Sequence, residues 1–283
     1  MKFRARLGLG GLKTLSAVAN CLDKVSDECA VHLTEDTFEL RKKLEAECEV
    51  EVFASLVSDS FSEYIIQSKA DNTISFIISL KNLLRAFRSA EQGDECVLKL
   101  ARKEGVPCLS IAADTVSGLN VTQDVPIKTL LTKEGMEAYR EPKLPRPCVT
   151  ASFPDPRHVR AVLERMRMLD KRVTLDFNAR KEKLTFTVRS EVVSMRTVYG
   201  GLDVQMSADY ISRVPSCKVS AMVSIAEFLS VLHFISVNFE KLVVCCIENT
   251  AIVLYVGFED DCGTLTYYCP LIDPEDSQLR PVP

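Results

Sequence analysis

Residues Tyr139-Arg140-Glu141-Pro142-Lys143-Leu144-Pro145-Arg146-Pro147-Cys148 fall near the middle of a 283-residue chain. Pro142, Pro145 and Pro147 fix φ and remove backbone donors, so neither a helix nor a central strand runs through them. The stretch reads as an extended, semi-rigid connector. Working outward, both flanks show the same order: a short strand, an amphipathic helix, several strands, a second helix and more strands. The four helices centre near Val18, Arg85, Val162 and Ser230, about 67, 77 and 68 residues apart, with the connector in the widest gap. This repetition divides the chain into a first domain (1–131), a connecting loop (132–147), a second domain (148–272) and a loose tail (273–283). Two helices on antiparallel sheets in each domain make the fold class α+β.

Thirty-five Lys and Arg against 39 Asp and Glu give a formal charge of −4. That balance argues against coating nucleic acid over the whole surface and leaves room for one basic face. Hydrophobic residues at 47% fit a soluble globular protein. Met1–Leu7 alternates polar and apolar, unlike a signal peptide, and no apolar run nears the ~20 residues of a membrane span. Eleven cysteines, an odd number without a C-x-x-C, point to a reducing compartment. Cys29 and His32 have a C-x-x-H spacing, but no second ligand pair accompanies them, so no metal site is expected.

Chemical motifs are absent. Gly8-Leu9-Gly10-Gly11 follows a strand, but Lys13 stands where the third glycine of a dinucleotide fingerprint belongs. A tight turn using glycine's access to positive φ is the expectation there. There is no P-loop, G-x-S-x-G or H-E-x-x-H, and no cofactor is expected. Glu259-Asp260-Asp261 lies between two strands and reads as a solvated turn. A Cys–His enzyme of α+β fold remains an alternative, because such partners need only be close in space.

What stands out is a set of cations on the outward faces of three helices. Lys13 and Lys24 belong to the first, Lys81, Arg85 and Arg88 to the second, and Arg157, Arg160, Arg165 and Arg167 to the third. The fourth helix, opened by the capping box Ser224-Ile225-Ala226-Glu227, presents Ala226, Ser230, His233 and Val237 and no fixed positive charge. Acids crowd elsewhere, at 45–51, at 259–261 and in the tail.

Met1-Lys2-Phe3-Arg4-Ala5, Val106-Pro107-Cys108-Leu109-Ser110-Ile111 and Val121-Thr122-Gln123-Asp124-Val125-Pro126-Ile127-Lys128 resemble a particular family. It is the Hus-type (hydroxyurea-sensitive) subunit of the heterotrimeric checkpoint DNA sliding clamp, within the proliferating-cell-nuclear-antigen-like superfamily. Leu265-Thr266-Tyr267-Tyr268-Cys269-Pro270 is similar to the last strand of clamps in general. The resemblance implies two similar sliding-clamp domains and a non-catalytic subunit that joins two different clamp subunits in a ring. The ring would be placed around double-stranded DNA, without sequence preference, by an ATP-dependent clamp loader in the nucleus, and would tether checkpoint-signalling and repair proteins. The helical cations would face phosphate. Asn120, Val121, Thr122, Val125 and Ile127 on one strand, and Glu191, Val192, Val193, Met195 and Thr197 on another, would form the subunit interfaces. Repair proteins would dock beside the connector. A homotrimeric replication clamp is the alternative within the same fold.

Overall fold

Alternation along Lys2–Gly8 (β1) sends Phe3, Ala5 and Leu7 into the core, and the chain turns directly into helix α1, Leu9–Asp23. The computed structural model describes residues 1–42, 49–115, 118 and 120–272. After α1 come β2 (Glu28–Leu33), β3 (Thr37–Arg41), β4 (Glu51–Val57), β5 (Glu63–Gln67), β6 (Ile74–Ser79) and α2 (Leu80–Ala90). The first half ends with β7 (Gly93–Lys103), β8 (Val106–Thr115) and β9 (Asn120–Leu130). A short helix, α3 (Lys133–Glu137), begins the connector, capped by Thr132 Oγ1, which accepts from Gly135 N at 3.2 Å. The second half runs β10 (Val149–Ser152), α4 (Pro156–Met166), β11 (Arg172–Asn178), β12 (Lys183–Arg189), β13 (Ser194–Gly200), β14 (Val204–Met206), α5 (Ala208–Arg213), β15 (Lys218–Ser224) and α6 (Ile225–Val231). It closes with β16 (Phe239–Ile247), β17 (Ala251–Phe258) and β18 (Gly263–Pro270).

The repetition is carried by strand order. The first half stacks β4-β3-β2-β6 and β9-β8-β7-β1-β5; the second stacks β13-β12-β11-β15 and β18-β17-β16-β10-β14. Position by position, β13 repeats β4 and β18 repeats β9. The halves are joined because β18 lies antiparallel against β4, from Gly263 opposite Leu56 to Tyr268 opposite Glu51. Gly263 is required at this seam: a Cβ there would sit 2.3 Å from Ser55 O. One continuous apolar core runs through both halves between helices and sheets, including Phe186, which lies 6.4 Å from the Phe228 ring. Each large side chain buried in it contributes about 1.5–3 kcal/mol.

Several local expectations change. The glycines at 8–11 form no positive-φ turn; Gly10 and Gly11 lie inside α1. Gly11 instead allows close approach, since a Cβ would meet Leu7 Cδ2 at 2.8 Å. Ser79 occupies the N-cap of α2 without a side-chain cap bond. Asp155 does cap α4, accepting from Arg157 N at 2.9 Å beside Pro156. α6 is shorter than its apolar spacing suggests and tightens into a 3-10 turn, Leu232–Ser236. α5 and β14 have no clear sequence signature. Glu259–Asp261 forms an exposed turn with Asp260 and Asp261 at φ 56° and 49°. Part of the strand expected at 46–54 (46–48) and the tail at 273–283 lie outside the described residues.

Candidate functional site

The four long helices form a row on one side of the sheets. α2 packs on α1, α1 on the 3-10 turn that extends α6, and both α6 and that turn on α4. Lys81, Arg85 and Arg88 follow the i, i+4, i+7 spacing that keeps them on one face of α2. Their opposite face, Leu80, Leu83, Leu84 and Phe87, is buried. On α4, Val159, Val162, Leu163 and Met166 are buried while Arg157 and Arg165 are exposed, as is Arg167 at its C-cap. Lys13 and Lys24 are exposed at either end of α1.

Two of the nine cations named from the sequence are paired with carboxylates. Lys81 meets Asp27 at 2.6 Å, and Arg160 meets Glu164 at 3.1 Å. Both pairs are at least partly exposed, worth under about 1 kcal/mol, and easily exchanged for a phosphate. Lys13, Lys24, Arg85, Arg88, Arg157, Arg165 and Arg167 make no ion pair among the described residues. His233 ties the row together. Burial lowers its pKa below the ordinary histidine value, and the nearby charges of Arg160 on α4 and Lys24 on α1 lower it further. Cations from the two halves thus bear on one imidazole, and the fourth helix adds no fixed positive charge of its own.

The edge strands differ in how they hold the interface residues named above. Over residues 120–126, β9 pairs with β8 on one side only, so Asn120, Val121 and Thr122 lie on a free edge. Val125 and Ile127 do not present their side chains there, because both are buried in the core and Ile127 is paired with Ile78. β13 is the free edge of its sheet and carries Met195 and Thr197. Glu191, Val192 and Val193 precede that strand in the turn closed by Ser190 N donating to Val193 O at 2.9 Å. Val192 is 90% exposed there.

Sequence reasoning did not find a cavity of about 360 Å³ where the connector begins, lined by His32, Ile74, Leu130, Leu131 and Met136 among others. Its walls come from strands far apart in sequence, so no local pattern marks it. His32 Nδ1 lies 2.7 Å from Ser75 Oγ.

Among the described residues no group of three or more His, Cys, Asp and Glu could hold a metal, and no hydrogen bond joins a cysteine to a histidine. Burial pushes the thiol of Cys21 up to about 11 and that of Cys96 to about 12, which disfavours thiolate. Cys148 is lowered through its hydrogen bond to Cys246, but it is buried at the start of β10. No described helix is long and apolar enough to cross a membrane.

Comparison with known proteins fits this geometry. A solved structure of Proliferating Cellular Nuclear Antigen from Entamoeba histolytica superposes with a TM-score of 0.74 over 96% of this chain and 99% of that one, at 11% identity. It shows that the fold is that of a sliding clamp. A checkpoint protein hus1 homolog from Dictyostelium discoideum is 29% identical over 276 residues, covering 96% of this chain and 99% of that protein. The checkpoint protein HUS1 of Homo sapiens is 26% identical over 285 residues, covering 96% of this chain and all of that protein. The family model described as Hus1-like protein matches residues 1–273, and the chain belongs to that family.

Proposed function

We propose that this chain is a non-catalytic subunit of a ring-shaped checkpoint clamp that encircles DNA at damage sites and tethers signalling and repair proteins. The observation that carries the reading is the internal seam. β18 closes on β4, while in their counterparts in the repeat residues 120–126 of β9 and the whole of β13 are paired on one side only. Repeating the seam from chain to chain would pair β9 of one subunit with the β13 equivalent of the next. If the register of the seam repeats, Thr122 would lie opposite the counterpart of Arg196 in the next subunit, as Thr266 lies opposite Phe53 here. Three two-domain subunits joined this way close a ring and remove every such edge.

The helix row then lines the hole. Unpaired lysines and arginines contact phosphate without reading bases, which suits a sliding contact. α6, a quarter of the row without a cation, keeps this attraction weak, so retention would come from topological linkage. Two different clamp subunits complete the ring, an ATP-dependent loader opens it, and the nucleus is its place of work. Domains at 1–131 and 148–272, joined by a connector at 132–147, are the units of the ring. The cavity beside α3 supports docking of repair proteins next to the connector.

Changing Arg85, Arg88, Arg157 and Arg160 together to Glu tests the reading. The variant chain folds and assembles with its partners, and retention of the ring on closed circular DNA falls by tenfold or more at low salt. Unchanged retention would refute the inner-wall assignment. A stable self-trimer in sedimentation, in place of assembly with two different subunits, would favour a replication clamp instead.

A further inference from the structure

The two halves repeat, yet their outer faces are not covered alike. In the first half the connector rests on the side of β3 that faces away from the helices. Tyr139 is 8% exposed, and its carbonyl accepts from Arg41 Nη1 at 3.3 Å. Farther on, Tyr268 Oη donates to Glu141 at 2.6 Å. In both contacts the connector is the acceptor. Its prolines at 142, 145 and 147 keep their carbonyls and bring no N–H that would need a partner of its own.

Register carries Arg41 onto a definite position of the second half. Arg41 lies opposite Ala30 and Phe53, and Thr187 lies opposite Thr174 and Arg196 in the corresponding sheet. The equivalence holds two residues along: His32 Nδ1 is 2.7 Å from Ser75 Oγ, and Ser220 Oγ donates to Asp176 at 2.5 Å. Where the connector rests in the first half, the second has a cavity of about 380 Å³. Arg172, Thr187, Arg189, Ser220 and Met222 are among its walls.

Leu184, Phe186 and Val188 are buried in the core, and Thr187 turns the other way, into this cavity. It is nevertheless only 4% exposed, and its Oγ1 has no hydrogen-bond partner among the described residues. A buried hydroxyl left without an acceptor is costly and rare. Thr187 thus holds the position from which Arg41 grips a backbone carbonyl, with a donor to spare. The charges around it balance. Arg172 is 3.4 Å from Asp170, Asp176 accepts from Ser220, and Arg189 makes no ion pair among the described residues. Such a lining does not select for net charge; it selects for an acceptor on an extended backbone. Crossing from β15 to β12 spans roughly 10 Å at the usual strand spacing, within reach of three or four extended residues.

We propose that the outer face of β15, β11 and β12 is a docking groove for an extended, proline-containing segment of a partner protein. That segment places a backbone carbonyl on Thr187 Oγ1 as the connector places that of Tyr139 on Arg41. The groove is separate from the cavity beside α3, and its use does not depend on closure of a ring.

A synthetic peptide copying residues 138–147, the stretch that makes these contacts in the first half, is the probe. It is added to the full chain labelled at its methionine methyls, with the Met222 signal assigned through Met222→Leu. Met222 shifts saturably with peptide, while Met136 beside the chain's own connector and Met166, buried on the helix side, stay in place. Thr187→Val keeps the shape and removes the hydroxyl: the unfolding midpoint stays equal or rises, and peptide affinity falls about fivefold or more. Thr187→Ser, which keeps the donor, retains binding. A Met222 signal indifferent to the peptide, or equal affinity in the Thr187→Val chain, would overturn the proposal. A Met222 signal that moves with protein concentration alone would overturn it too, by giving the face to a second copy of this chain.

Discussion

The seam between β18 and β4 and the free edges of β9 and β13 are the same local structure in two conditions. At the closed seam Tyr267 is fully buried, Phe53 packs edge-on against Tyr268 with ring centres 5.7 Å apart, and Gly263 lets the backbones meet. At the open edges the equivalent positions are Gln123, Asp124, Arg196 and Val198, mostly exposed and mixed in character. An edge sealed within one chain can use aromatic and glycine contacts that would be a hazard in water. One that waits for a partner must stay tolerable while unpaired.

Breaking the closed seam should have the largest effect. Gly263→Val drives a side chain into Ser55 O and should cost about 3 kcal/mol or more, read as a fall in midpoint on chemical denaturation. The open edge should behave in the opposite way. Val198→Asp is expected to leave the chain's own stability within about 0.5 kcal/mol, because Val198 is 49% exposed. The same change should weaken assembly with the partner subunits about tenfold, as sedimentation of the mixture would show.

A smaller effect lies where the connector is fastened beside the seam. Tyr268→Phe removes the bond to Glu141 and should cost about 0.5–1.5 kcal/mol. It should also raise proteolysis within the connector.

The smallest effect concerns pH. His233 has its folded pKa below the unfolded value, so its contribution to stability is full above about 6.5 and is lost as pH falls through the folded value. On DNA the sign reverses, because phosphate favours the imidazolium. Lowering pH from about 7.5 to 5.5 should lengthen retention about two- to threefold, and His233→Gln should flatten that dependence.

Nearly all the strands and the four long helices were legible in the sequence, because alternation and the 3.6-residue stripe survive in each. Cys48-Glu49-Val50-Glu51-Val52 and the Asp155-Pro156 start are examples, the former only partly within the described residues. What could not be read was long-range pairing. Nothing local says that Tyr267 lies opposite Val52, or that Val125 and Ile127, on a strand with a free edge, turn their side chains inward. The glycines at 10 and 11 misled because glycine serves turns and close helix packing alike. Cations at helical spacing were readable, but their pairing with Asp27 or Glu164 depends on loop placement and on rotamers.

The seam also carries a consequence for synthesis. β4 is made early, and its mate β18 emerges roughly two hundred residues later, so during translation the first half has a raw strand flank with no cover. A fragment stopping at the connector should therefore clump where the complete chain does not. Chaperones that hold the nascent chain would find their binding site along Glu51–Val57.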